Sequence, residues 1–125
     1  MPTNRSALGI RGENQAVRHL ESLGYQIIER NYRCPFGEID IIALDKNDIV
    51  FVEVKTRRHL HSGYPAESVD HRKREKLILT AQHYLAEKSL FETSSRFDVV
   101  EVYYTQGQPP VVQLIRNAFW EEKQL

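Results

Sequence analysis

The sequence predicts an α/β domain: a mixed five-stranded sheet flanked by helices, in the chain order α-β-β-β-α-β-β. Two segments repeat apolar residues at helical spacing. Five others are runs of β-branched and aromatic residues bounded by turn signals. A helix separates the third strand from the fourth, which implies a parallel pairing in an otherwise antiparallel sheet.

The chain has 125 residues, enough for one domain with a modest core, and no Pro/Gly/Ser-rich linker or repeat divides it, so residues 1–125 are expected to be one unit. With 41% apolar residues the chain is too hydrophobic to be disordered. The 17 Lys and Arg balance the 17 Asp and Glu, which argues against a uniformly basic coat for nucleic acid but leaves room for a local patch. Cys34 is the only cysteine, so no internal disulfide forms and a thiolate zinc site is poorly supported. The N-terminus lacks the apolar run of a signal peptide, and no stretch approaches the roughly 18 apolar residues of a membrane span. A cytoplasmic location without a membrane is the expectation.

The first helix is expected over about Asn14 to Leu23, with an alternative start near Ala7. Ala16, Val17, Leu20 and Leu23 make its apolar face, and Gly24 stops it. Tyr25 to Arg33 reads as the first strand, and "CPFG" as a turn. Glu38 to Leu44 and Ile49 to Thr56 are the next two strands, around the turn "DKND". "HLHSGYPAES" is a loop. A second helix, capped by Ser68 or Asp70, should run to about Lys88 with Leu77, Ala81, Tyr84 and Leu85 inward. Arg96 to Tyr104 is the fourth strand, and "VVQLI", after the turn "QGQPP", the fifth and an edge. The tail from about residue 116, with Phe119 and Trp120, is expected to pack on the domain or on a second subunit.

Charges inside the central hairpin call for an explanation. With a turn at Lys46-Asn47, Leu44 opposes Ile49, Ile42 opposes Phe51 and Asp40 opposes Glu53. Opposed side chains share a face, with Cβ atoms about 4.5–5.5 Å apart. Asp40 and Glu53 should therefore converge, with Lys55 on the same face and Ile39, Ile41 and Ala43 on the other. Two like charges opposed beside apolar neighbours are unfavourable unless something binds them. Lys55 neutralises one. A divalent cation, Mg²⁺ or Mn²⁺, would answer the rest, with Asp40, Glu53 and the carbonyl of Val54 as ligands. The alternative is an exposed face carrying a Glu–Lys–Asp ion network, and a bulge in either strand would alter the register. Glu13 lies three and four residues before Ala16 and Val17, hence on the helix's apolar face, where it can reach such a metal or its water. A helpful charge at the helix start is its simpler role.

Asp40, then Glu53-Val54-Lys55 on the next strand, with a Glu on the first helix, resembles the PD-(D/E)xK nuclease superfamily. "GENQAVRHLESLGY", "RNYRCPFGEIDIIA", "VFVEVKTRR" and "RFDVV" are similar to the YraN-type family of small uncharacterised bacterial proteins, themselves similar to archaeal Holliday junction resolvases. Ile39 stands before the first acid in place of the superfamily's Pro. The resemblance implies a restriction-endonuclease-like fold and a metal-dependent endonuclease that hydrolyses DNA phosphodiester bonds, on branched or damaged DNA. In that setting Asp40 and Glu53 would hold Mg²⁺ or Mn²⁺, Lys55 would be the catalytic lysine, and Glu13 an auxiliary acid. The rival is a nuclease-fold module that binds nucleic acid without cutting it. Resolvase-like chemistry would suit a two-fold homodimer, since two symmetric cuts need two sites.

Between Lys55 and Lys76 seven basic residues outnumber three acids. Arg57, Arg58, Arg72, Lys73 and Arg74 are the candidates for DNA phosphates, although charge runs often only face water. His59 and His61 are weak evidence for zinc. Asp98 is expected to pair with Arg96 or a nearby basic residue in a structural role.

Overall fold

The computed structural model describes residues 6–58 and 71–119. It contains α1 (Ala7–Ser22), β1 (Gln26–Cys34), β2 (Gly37–Asp45), β3 (Asp48–Arg57), α2 (His71–Glu87), β4 (Ser95–Tyr103) and β5 (Val111–Phe119), the order expected from the sequence. The strands lie side by side as β1-β2-β3-β4-β5. β3 and β4 run parallel, joined through α2, and the other neighbours are antiparallel.

α1 takes the earlier of its two expected starts. Ser6 caps it, its Oγ accepting the Gly9 N–H at 2.9 Å. Gly9 and Gly12 lie inside the helix despite their low propensity. Packing explains Gly12: a Cβ there would collide with the Thr56 side chain of β3. The missing side chain lets the helix lie directly on the strand and carries Glu13 to the sheet. Leu23, expected inward, is exposed just beyond the helix end.

Strand alternation divides the core into two layers. Ala16 and Leu20 of α1 pack with Tyr25, Ile41, Ala43, Val50, Val52, Val100 and Val102 on one face. Leu77, Ala81, Tyr84 and Leu85 of α2 pack with Ile42, Ile49, Phe51, Phe97 and Val99 on the other. Truncating one such buried Leu to Ala would cost ~2–5 kcal/mol.

Asp98 is fully buried and pairs with Arg96, as expected; the surrounding network is larger than expected. Arg96 donates to Asp98 at 3.0 Å, Asp48 at 3.0 Å, Asp45 at 2.8 Å and the Tyr25 hydroxyl at 2.8 Å. Tyr25 donates in turn to Asp98 at 2.9 Å, and burial together with that carboxylate pushes its hydroxyl up to about 12. One guanidinium thus ties the β2–β3 turn to the start of β4.

β5 extends past the expected "VVQLI" to Phe119. The Phe97↔Phe119 and Val99↔Ile115 pairs bracket an irregularity in which Asn117, at φ 52°, gives its N–H to Asp98 at 2.9 Å. The bulge returns Phe119 to the sheet, where its ring stacks on Phe97 at 4.6 Å. Phe119 therefore belongs to β5 rather than to a tail; Trp120 lies outside the described residues. So do Ser68 and Asp70, proposed as caps, and His59 and His61. No helix among the described residues is long and apolar enough to cross a membrane.

Candidate functional site

The central hairpin keeps its expected register from Asp45↔Asp48 through Leu44↔Ile49, Ile42↔Phe51 and Ile41↔Val52, where the paired residues end. Asp40 and Glu53 are not a ladder pair. The cause lies in β1. Arg30↔Ile41 and Tyr32↔Ile39 bracket Asn31 and Asp40, and Asn31 has a left-handed backbone with φ 56°. Asn tolerates that conformation better than most residues. Alternation breaks on both strands at this point. Tyr32 and Ile39 pack on the α2 layer with Ile42, whereas Ile41 packs under α1 and Arg30 reaches Glu13 of α1. The expectation that Ile39 shares the face of Ile41 and Ala43 is therefore corrected.

Asp40 sits in the gap this break opens. Its Oδ2 accepts the Val54 N–H at 2.8 Å, so a β3 amide is satisfied by a β2 side chain rather than β2 main chain. Asp40 and Val54 line a cavity of about 310 Å³ with Ser6, Gly9, Glu13 and Thr56. Burial, then the Glu53 carboxylate, push the Asp40 carboxyl up to about 8; the Val54 N–H opposes this, and Glu13 and Glu38 add to it. Three acids proposed from the sequence thus act on one another: Asp40 with Glu53, and Asp40 with Glu13.

Each neighbouring acid has a cation. Glu13 is buried, and its Oε1 accepts from Arg30 at 2.8 Å and Asn31 at 3.5 Å. Arg30 also donates to Asn14 at 2.7 Å. Glu53 is 8% exposed and pairs with Lys73 of α2 at 2.7 Å. Lys73, a candidate phosphate ligand, is thereby placed on a candidate metal ligand. Lys55 follows Glu53 by two residues on β3 and is half-buried beside Glu101 of β4. Glu101 is 2% exposed and accepts from the Tyr103 hydroxyl at 2.9 Å; burial and that bond push Tyr103 up to about 12. Arg57 ends β3, Arg58 follows it, and Arg72 and Arg74 lie in the first turn of α2 with Lys73. The basic candidates thus occupy the end of β3 and the start of α2.

Sequence reasoning missed Arg30, Asn31, Thr56 and Glu101. Asn31 interrupting "ERNYR" was the available sign of a kink, and Glu101 among "DVVEVYY" repeats the buried-acid signal that drew attention to Asp40.

Residues 12–102 match the uncharacterised protein family UPF0102. A UPF0102 protein of Caldicellulosiruptor saccharolyticus is 45% identical over 117 residues, covering 93% of this chain and 99% of the relative. Another, of Caldanaerobacter subterraneus, is 47% identical over 118 residues, covering 93% and 97%. A third, of Clostridioides difficile, is 46% identical over 116 residues, covering 93% and 99%. The matched span includes Glu13, Asp40, Glu53 and Lys55, and the chain belongs to the UPF0102 family.

Proposed function

We propose that this protein is a divalent-metal-dependent nuclease of the PD-(D/E)xK kind that hydrolyses phosphodiester bonds in DNA. The observation that supports it best is the Asp40 carboxyl, buried where β2 leaves β3 and pushed up to about 8 by burial, Glu53 and Glu13. A buried acid so close to other acids is a recurrent mark of functional sites.

The donors suit a hard cation because all are oxygens. Among the described residues no three His, Cys, Asp or Glu side chains form a group that could hold a metal ion. Asp40, Glu53 and the Val54 carbonyl would hold an ion that keeps several waters, as Mg²⁺ does. Bound there, Mg²⁺ or Mn²⁺ would supply Lewis-acid polarisation of a phosphoryl oxygen and a bound water of lowered pKa. Glu13, fixed by Arg30 and Asn31, would orient a water. Lys55 would offset charge developing on the phosphorus centre. Arg57, Arg58, Arg72, Lys73 and Arg74 would position the backbone by its phosphates. A preference for branched or damaged DNA rests on likeness to archaeal Holliday junction resolvases.

The test is cleavage of single-stranded, duplex, flap and four-way DNA with Mn²⁺. Wild type should cut at least one, and Glu53→Gln should lose the activity while melting like wild type. Equal cutting by the mutant would refute the assignment. One observation favours a second reading, a module that binds nucleic acid without cutting: Lys73 and Arg30 already balance Glu53 and Glu13. Metal and DNA binding with no cleavage of any substrate would support that module.

A further inference from the structure

Beside the acidic cavity lies a second one of about 400 Å³, within the range of small-ligand sites. Leu8 and Arg11 of α1, Arg58 and Tyr104 line it, with the β4–β5 turn from Thr105 to Gln108. The two cavities are lined by different residues of the same two segments. Gly9 and Glu13 of α1 face the first, Leu8 and Arg11 the second. Along the chain leaving β3, Thr56 lines the first and Arg58 the second, about 6.5 Å farther in an extended chain.

Their chemistry is complementary. The first cavity is lined by two carboxylates and no cation, the second by two guanidiniums and no carboxylate. The Arg11 guanidinium lies over the Tyr104 ring, 4.8 Å from its centroid, a flat cationic and aromatic surface. The Tyr104 hydroxyl is buried without a hydrogen-bond partner among the described residues. Gln106 and Gln108 add amides that can donate and accept at the rim.

An aromatic surface, two guanidiniums and neutral amides match one nucleobase and its phosphate. A base inside a continuous duplex cannot enter such a recess without leaving its stack. We infer that this cavity binds an unpaired nucleotide next to the scissile phosphate, so that the substrate is DNA whose strands are separated at the cut. The inference rests on the nuclease reading for its geometry, but binding tests it independently. Arg11 and Arg58 hold the phosphate, Tyr104 the base, and the acidic cavity receives the neighbouring phosphodiester.

The experiment measures binding of fluorescent oligo-dT, oligo-rU and a duplex of equal length in EDTA, where no cleavage occurs. Wild type should bind oligo-dT more tightly than the duplex. Tyr104→Ala should weaken oligo-dT binding about tenfold or more, the value of one stacked base, and change duplex binding less than about twofold. Arg58→Gln, at an exposed position, should weaken oligo-dT binding without altering the melting temperature. Equal losses on single strand and duplex, or no loss from either substitution, would overturn the inference. Tighter binding of oligo-rU than oligo-dT would overturn DNA as the ligand. Should Tyr104→Ala fail to fold, Arg58→Gln decides alone. Selective binding that these substitutions abolish would stand even if no substrate were cut, which would refute only the nuclease reading.

Discussion

The Asp40 carboxylate accepts the Val54 main-chain N–H at 2.8 Å, so a β2 side chain closes the gap left where the β2–β3 ladder ends. That bond favours the ionised form, yet burial and the Glu53 and Glu13 charges outweigh it. Asp40 is therefore held in a position that costs stability once it ionises.

Asp40→Asn should stabilise the fold at pH 8 and have little effect at pH 4. The folded pKa is raised from 3.8 to about 8. Between those values the unfolded chain binds fewer protons than the folded one, so stability falls as pH rises. The loss begins above the unfolded pKa and is complete beyond about pH 8. Removing the ionisation should raise Tm at pH 8 by about 4 °C, or about 1 kcal/mol, by calorimetry. A mutant that follows the wild-type pH profile would contradict this.

Gly12→Ala should destabilise by ~1–3 kcal/mol, since its Cβ would collide with Thr56. Thr56→Ala should recover most of that loss in a double-mutant cycle by urea unfolding, because the hydroxyl and methyl it removes are the nearest atoms. Additive effects would show that α1 does not depend on this approach.

Much of this geometry was legible in the sequence. The register from Leu44↔Ile49 to Ile41↔Val52 follows from the turn at Lys46-Asn47, and Glu13's burial from its spacing to Ala16 and Val17. The break at Asp40 was not, because its cause is the left-handed Asn31 on a different strand, and pairing two strands on paper carries no information about the third. Arg30 reaches Glu13 at 2.8 Å because alternation breaks beside it at Asn31, which spacing along β1 alone does not show. Phe119 was read as tail because the bulge that returns it depends on Asp98, nineteen residues away.

Arg96→Met should cost ~3–5 kcal/mol in urea unfolding, since it leaves Asp98 buried beside Asp45 without its cation. DNA binding at a temperature where the variant is folded should stay unchanged, because the network lies at the turn end of the hairpin, away from Asp40. A loss below ~1 kcal/mol would show that Tyr25 and the Asn117 N–H suffice for Asp98.

Lys73→Gln should tighten Mn²⁺ binding about two- to fivefold. The Lys73 ammonium is half exposed, so its pairing with Glu53 is worth ~1 kcal/mol or less, and removing it frees the carboxylate for metal. Weaker Mn²⁺ binding would place Lys73 among the supports of the site rather than its competitors.

Calorimetric titration of Mn²⁺ into wild type, Asp40→Asn and Glu53→Gln tests the proposed metal centre most directly. The expected result is a single site in wild type that both substitutions weaken at least about tenfold while the proteins remain folded. No binding by wild type, or equal binding by all three, would contradict it.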